Sequence, residues 1–242
     1  MNGAPGISLS GTHALDGAVL FGPLTLEIPG GQWTCLLGPS GVGKTTILRL
    51  LLGLETGGVF TGSLVAADGL PLAGRISYMA QSDLLLPWLN VLENIVCGAR
   101  LRGEKPDMDR AFSLLERVGL AAHSSKKPVQ LSGGMRQRTA LARTLMEDRP
   151  IVLLDEPFSA LDAGTRADMQ ELSAEVLQGK TVFLVTHDPA EASRLGHKIM
   201  VMSAGGMTAW EVPDMAPIRD VAAPETLACQ AALLTHLRAA AV

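Results

Sequence analysis

Residues 38–46, Gly38-Pro39-Ser40-Gly41-Val42-Gly43-Lys44-Thr45-Thr46, hold the spacing G-x-x-x-x-G-K-[ST]. Glycines at that spacing let backbone N–H groups curl around phosphate oxygens. Lys44 would reach the β and γ phosphates of a nucleotide, and the Thr45 hydroxyl would hold Mg²⁺. A helix opening here adds its positive end to the cradle. A second constellation closes Ile151-Val152-Leu153-Leu154-Asp155-Glu156, an apolar run ending in two carboxylates. Asp155 suits Mg²⁺, directly or through a coordinated water. Glu156 suits the orientation and deprotonation of an attacking water, a step typically worth about 10²–10⁴ in rate. Gln81 and His187 each follow an apolar run in the same way. Gln81 is read as a ligand of Mg²⁺ or of the water, and His187 as a hydrogen-bond partner of the γ-phosphate. His13, His123, His197 and His236 stand in no comparable context and are read as structural.

A third candidate is Leu131-Ser132-Gly133-Gly134-Met135-Arg136-Gln137-Arg138. Ser132 precedes a helical run and reads as a helix N-cap above a glycine turn. Gly133 and Gly134 equally leave helix-end N–H groups open to an oxyanion. Composition and spacing leave both readings open.

The elements that must carry these groups follow from periodicity. Leu24–Ile28 alternates as a half-buried strand does, and Trp33–Leu37 is a buried strand entering the glycine loop. Thr45–Leu52 is helical and stops at Gly53. Ile76–Met79, Ile151–Leu154 and Val182–Val185 are buried strands, each followed by polar residues. Polar groups gathered at strand ends match the site geometry of an open α/β sheet. Between Val91 and Met146 the pattern turns helical: Val91–Leu101, Met108–Val118 and Gly134–Met146, with no strand between. Ile199–Ser203 and Met207–Val212 flank Ala204-Gly205-Gly206 as a hairpin, and Glu225–Ala240 forms a closing helix.

With 242 residues and 47% hydrophobic residues, the chain can bury a sizeable core. A net charge of −4 argues against a general nucleic-acid binder. Cys35, Cys97 and Cys229 are too far apart for a zinc site or a disulfide framework and read as inert thiols in a reducing compartment. The N-terminal MNGAPGISLSGTH lacks the basic flank and apolar centre of a signal peptide, and no run approaches the ~20 apolar residues of a membrane span. A cytosolic protein is expected, reaching a membrane only through a partner.

Taken together, the chain resembles an ATP-binding-cassette (ABC) ATPase over nearly its whole length. Gly38–Thr45 is similar to the Walker A motif, Gln81 to the Q-loop, and Leu131–Gln137 to the signature motif. Ile151–Glu156 resembles Walker B, Ser159-Ala160-Leu161-Asp162 the D-loop, and His187 the switch histidine. The resemblance implies an α/β fold: a P-loop NTPase, RecA-like core with an antiparallel β subdomain and an inserted α-helical subdomain. It places core and β subdomain at 1–88 and 148–242, and the helical part at 89–147. It implies ATP and Mg²⁺ as cofactors, with Mg²⁺ held by Thr45, Gln81 and Asp155. It further implies head-to-tail pairing with a second copy, so that the signature residues (Leu131, Ser132, Gly133, Gly134 and Met135) serve the partner's γ-phosphate. Isologous pairing of that kind makes two equivalent composite sites. One family feature is missing: counting back to the aromatic residue that stacks adenine lands near Leu15, with His13 and Phe21 as imperfect substitutes.

Residues Gln81–Asn94, QSDLLLPWLNVLEN, are close to the Q-loop stretch of importers for nitrate, sulfonate, taurine and thiamine precursors. Gln32–Leu37 points within that branch to hydroxymethylpyrimidine importers. The implied role is the energy-coupling ATPase subunit of an importer, peripheral on the cytoplasmic face of the cell membrane. Its implied partners are transmembrane permease subunits and, indirectly, a solute-binding protein, with no nucleic acid. Lipoprotein release, cell division and export are the alternative duties; DNA repair and ribosome-associated work are less favoured.

Overall fold

The computed structural model describes residues 3–239 of the chain. In chain order its elements are β1 (Ile7–Leu15), β2 (Ala18–Ile28), β3 (Trp33–Leu37), α1 (Lys44–Leu51), β4 (Val59–Ala66) and β5 (Ile76–Met79). Then follow α2 (Val91–Ile95), α3 (Cys97–Leu101), α4 (Met108–Arg117) and α5 (Gly133–Met146). The chain continues through β6 (Ile151–Asp155), α6 (Ala163–Val176), β7 (Thr181–Val185), α7 (Pro189–Leu195), β8 (Lys198–Ser203), β9 (Gly206–Trp210) and α8 (Pro224–Ala239). The expected closing helix therefore begins one residue early, and its last expected residue, Ala240, lies outside the described residues.

Two units share the chain. One takes in the described parts of Met1–Ile76, Pro150–Leu153 and Gly179–Val242. Its three-stranded antiparallel sheet has the order β2-β1-β4, in register Leu9↔Leu26 and Leu9↔Leu64. Leu24, Leu26 and Ile28 of β2 point into the core while Thr25 and Glu27 stay exposed, as their alternation predicts. A second sheet of this unit has β7, β3, β8 and β9 as successive neighbours. β3 pairs parallel with both β7 and β8, in register Cys35↔Leu184 and Cys35↔Ile199. All five residues of β3 and all five of β7 are buried, because a parallel strand is covered on both faces. β8 and β9 form the antiparallel hairpin closed at Ser203↔Gly206.

The other unit comprises Ser77–Arg149 and Leu154–Gln178 and carries α2 to α6. Helices α2, α4, α5 and α6 each start on a capped end. Asn90 and Glu93 form a reciprocal capping box on α2, and Asp107, Ser132 and Asp162 accept from the third backbone N–H of α4, α5 and α6. The single helix expected over Val91–Leu101 is instead two short ones. Val96 sits at φ −94°, ψ 5°, outside the helical basin, while Val96 N→Leu92 O (3.2 Å) and Arg100 N→Val96 O (3.4 Å) carry the ladder across. Apolar periodicity continues through such a joint, so the pattern alone does not register it. Strands β1 and β4, and helices α6 and α7, are further elements that the apolar pattern does not single out.

Candidate functional site

In the first unit the phosphate loop joins β3 to α1. Gly38 lies at φ 155°, and a Cβ there would sit 2.3 Å from the Met202 carbonyl oxygen. Gly43 lies at φ 112°, where a Cβ would meet Phe21 Cδ1 at 2.8 Å. Both positions therefore demand glycine, for backbone conformation and for space. A Cβ on Gly41 would meet nothing within 4 Å, so the loop is open on that side. Lys44 Nζ donates to the carbonyls of Gly38 (2.7 Å) and Pro39 (2.8 Å), which folds the ammonium back over the loop. Thr45 is exposed in the first turn of α1 and Thr46 follows half-buried.

The upstream residues considered for adenine are placed as follows. His13 is fully buried and donates or accepts through Nε2 with Thr56 Oγ1 at 2.8 Å. Phe21 is 6% exposed and lies with its ring centroid 5.5 Å from that of His13. Neither offers an open ring face. Leu15 is 39% exposed, and Val19 on the paired strand is 65% exposed.

His187 follows β7 at an exposed position on a braced turn. Buried Thr186 donates through Oγ1 to Glu191 Oε2 (2.6 Å) and accepts from the Asp188 N–H (3.0 Å). Asp188 in turn caps α7 through the Ala190 N–H at 2.8 Å. At the other end of α7, Arg219 donates to the carbonyls of Ser193 (2.9 Å) and Gly196 (2.8 Å). The turn is thereby fixed while the imidazole stays accessible.

In the second unit, Asp155 ends β6 and is 5% exposed, and Glu156 follows at φ 50°. A left-handed φ is uncommon for a residue with a Cβ and persists only where neighbours hold it. Here Gln81 Nε2 donates to Glu156 Oε2 at 3.1 Å. The Glu156 carbonyl accepts from Gln137 Nε2 (3.2 Å) and Ser159 Oγ (3.0 Å). The sequence expectation that Gln81 and Glu156 serve one site thus finds them in direct contact.

The segment Ser159-Ala160-Leu161-Asp162 links β6 to α6. Ala160 N–H donates to Gln137 Oε1 at 2.8 Å, Leu161 is buried, and Asp162 caps α6 through the Thr165 N–H at 3.0 Å. That backbone hydrogen bond holds the Asp162 carboxyl below the usual carboxylate range. Ser132 accepts from the Met135 N–H at 3.2 Å and so is the N-cap of α5. Leu131 is buried, while Ser132 and Gly133 are exposed and Gly134 and Met135 half-buried. The N-cap reading therefore holds for Ser132, and the amides around the two glycines stay close to solvent.

Three side chains of α5 and one of the loop after Gln81 complete this network without having been assigned a role from spacing. Arg136 Nε donates to Asp83 Oδ2 at 3.0 Å, and Arg143 donates to the carbonyls of Asp83 (2.7 Å) and Leu84 (2.8 Å). Gln137 is 6% exposed. A polar residue on the buried face of a helix was the available signal, because a buried amide must find partners.

In the first unit Thr45 offers a hydroxyl, and in the second Gln81 and Asp155 offer an amide oxygen and a carboxylate. Such hard oxygens fit Mg²⁺. Among the described residues no three of His, Cys, Asp and Glu gather into a metal cage.

The ABC transporter family model matches residues 21–159. An uncharacterized ABC transporter ATP-binding protein of Haemophilus influenzae is 48% identical over 191 residues, 78% of each chain. The aliphatic sulfonates import ATP-binding protein SsuB 2 of Agrobacterium fabrum is 46% identical over 195 residues, 78% of this chain and 73% of that one. The taurine import ATP-binding protein TauB of Yersinia pestis is 40% identical over 207 residues, 82% of this chain and 80% of that one. Among solved structures, a bacterial Atm1-family ABC exporter with ATP bound matches 84% of this chain with a TM-score of 0.74. At 23% identity, and with this chain spanning 38% of that one, the likeness concerns the fold. A family match from Phe21 through Ser159, with near-half identity over most of a curated relative, means that this chain belongs to the ABC transporter family.

Proposed function

We propose that the chain is the ATP-binding and ATP-hydrolysing subunit of an ABC importer, driving uptake of a small solute through a separate permease. The observation that carries the importer reading is the 46% and 40% identity to sulfonate and taurine import ATP-binding proteins over about four fifths of the chain. Solutes of the nitrate, sulfonate, taurine or thiamine-precursor kind are the class proposed, the two named relatives favouring sulfonates.

The chain's own residues have these roles. Backbone amides from Gly38 to Thr46 and the Lys44 ammonium bind the β and γ phosphates. Thr45, Gln81 and Asp155 hold Mg²⁺, which when bound offsets phosphate charge and steadies the leaving oxygens. Glu156 takes a proton from water as the water oxygen bonds to the γ-phosphorus and the bond to the bridging oxygen breaks, giving ADP and phosphate. Gln81, already bonded to Glu156, orients that carboxylate and the water, and His187 donates to the γ-phosphate. A second copy supplies Leu131, Ser132, Gly133, Gly134 and Met135 to the same phosphate, and the D-loop residues Ser159–Asp162 face the shared boundary. We keep 1–88 and 148–242 as core with β subdomain and 89–147 as the helical part.

Among the described residues no helix is long and apolar enough to cross a membrane. The proposed location is the cytoplasmic face of the cell membrane, held there by the permease. Leu84 and Trp88, 62% and 66% exposed, offer apolar surface to it. Co-purification of the permease and its solute-binding protein, followed by a thermal-shift screen of sulfonates, taurine, nitrate and pyrimidine precursors, tests the assignment. Stabilisation of the binding protein by one of these classes is the expected result. A partner complex that exports, or that lacks any binding protein, would overturn the importer reading.

A further inference from the structure

We infer that Gln137 is a positioning residue for Glu156, and that the signature helix holds its own chain's catalytic carboxylate as well as facing a neighbour's phosphate. The inference rests on the reading of Glu156 as the general base. Gln137 is 6% exposed, five residues into the segment that Ser132 caps. Its amide is used on both sides. Nε2 donates to the Glu156 carbonyl (3.2 Å) and stands 3.2 Å from Ser159 Oγ, while Oε1 accepts from the Ala160 N–H (2.8 Å).

Those contacts act on a residue in an uncommon backbone state, since Glu156 lies at φ 50°. A carbonyl turned by a left-handed φ needs donors where an ordinary strand end would not present it. Gln137 and Ser159 are the donors that meet it. The direction in which the Glu156 side chain leaves the backbone is set by that same φ and ψ. Losing the Gln137 donor releases the conformation that points the carboxylate at Gln81.

α5 holds the other side of the pair as well. Two residues after Gln81 comes Asp83, whose carboxylate accepts from Arg136 and whose carbonyl accepts from Arg143. Leu84, also at positive φ (46°), has its carbonyl held by Arg143. One helix thus carries the braces for both members of the Gln81–Glu156 contact. Its capped end is the part proposed to meet the second copy's phosphate, so seating of that end and aim of Glu156 share a rigid element.

The test uses the full chain with Gln137→Met, which fills the same buried slot without a donor, and Gln137→Glu, which keeps the acceptor for Ala160. Both variants should bind ATP with KM within about threefold of the parent while kcat falls at least about tenfold. Both should accumulate the ATP-dependent dimer, because the signature end is intact and only hydrolysis is slowed. Ser132→Arg is the control that should lose that dimer. Unchanged kcat in either folded variant, or loss of the dimer in step with activity, overturns the inference. Glu156→Gln run alongside separates the two levels: an active Glu156→Gln enzyme defeats the general-base reading itself, whereas an inert one beside fully active Gln137 variants defeats the positioning role alone.

Discussion

Gln81 Nε2 donates to Glu156 Oε2 across 3.1 Å, joining two residues 75 positions apart in the sequence. A glutamine suits that contact, since its side-chain amide carries both a donor and an acceptor.

Glu156→Gln should keep ATP binding, lose turnover by about 10²–10⁴-fold and trap an ATP-dependent dimer, because proton acceptance is removed while every phosphate contact stays. Steady-state phosphate release and size-exclusion chromatography with and without ATP make the check. Parental turnover would remove Glu156 from its role.

Gly43→Ala should abolish nucleotide binding and destabilise the protein by roughly 1–3 kcal/mol, because φ 112° suits no side chain and the new methyl meets Phe21. Fluorescent-nucleotide titration and chemical denaturation measure the two effects. Because Phe21 sits beneath the loop, Phe21→Leu in the Gly43→Ala background should restore part of the stability and little of the binding.

A Ser132→Arg chain mixed with a Lys44→Ala chain should hydrolyse ATP although each alone does not. The mixed dimer pairs one intact phosphate loop with one intact signature end and concentrates both defects in the other site. Absence of recovery in the mixture would show that each chain completes its own site.

His197 sets a pH dependence of stability. Its Nδ1 accepts from the Trp33 N–H at 3.1 Å, and burial, followed by the nearby Arg219 charge, lowers its pKa below the ordinary 6.5. The unfolded chain takes up the proton at a higher pH than the fold does. The stabilising contribution is therefore fully present above pH 6.5 and is lost as pH falls through that value toward the lower folded pKa. The melting midpoint should drop between pH 7 and pH 5.5 in the parent, and His197→Gln, which keeps an acceptor for Trp33, should flatten that drop. An identical slope in both proteins would show that other groups carry the acid sensitivity.

Trp33–Leu37 and Ile76–Met79 were legible to the residue, the first buried along its whole length and the second burying every other residue. The Val96 joint was not, since hydrophobic period survives a one-residue change of backbone angle. β1 and β4 escaped for a related reason. β4 pairs only with β1 and keeps most of its residues at least partly exposed, so Val59–Ala66 carries no apolar run. Gln81, Glu156, Lys44 and Ser132 could be named from residue type and position. The brace formed by Gln137 could not, because nothing in residue spacing says whose carbonyl a buried amide meets.

Residue type and spacing alone spell out the chemistry on offer: a glycine loop whose amides suit an anion, a lysine and hydroxyls beside it, two carboxylates ending an apolar strand, and a capped helix end bearing two glycines. Those follow from side-chain type, backbone freedom and period, which are local properties. Which groups touch is a matter of packing. It put Gln81 on Glu156, turned Glu156 into a left-handed φ and met its carbonyl with Gln137, and buried His13 and Phe21 against each other so that neither ring is open. Hydrogen bonds of 3 Å between residues far apart in the chain depend on how helices and strands pack, and packing is a property of the whole core rather than of any one stretch.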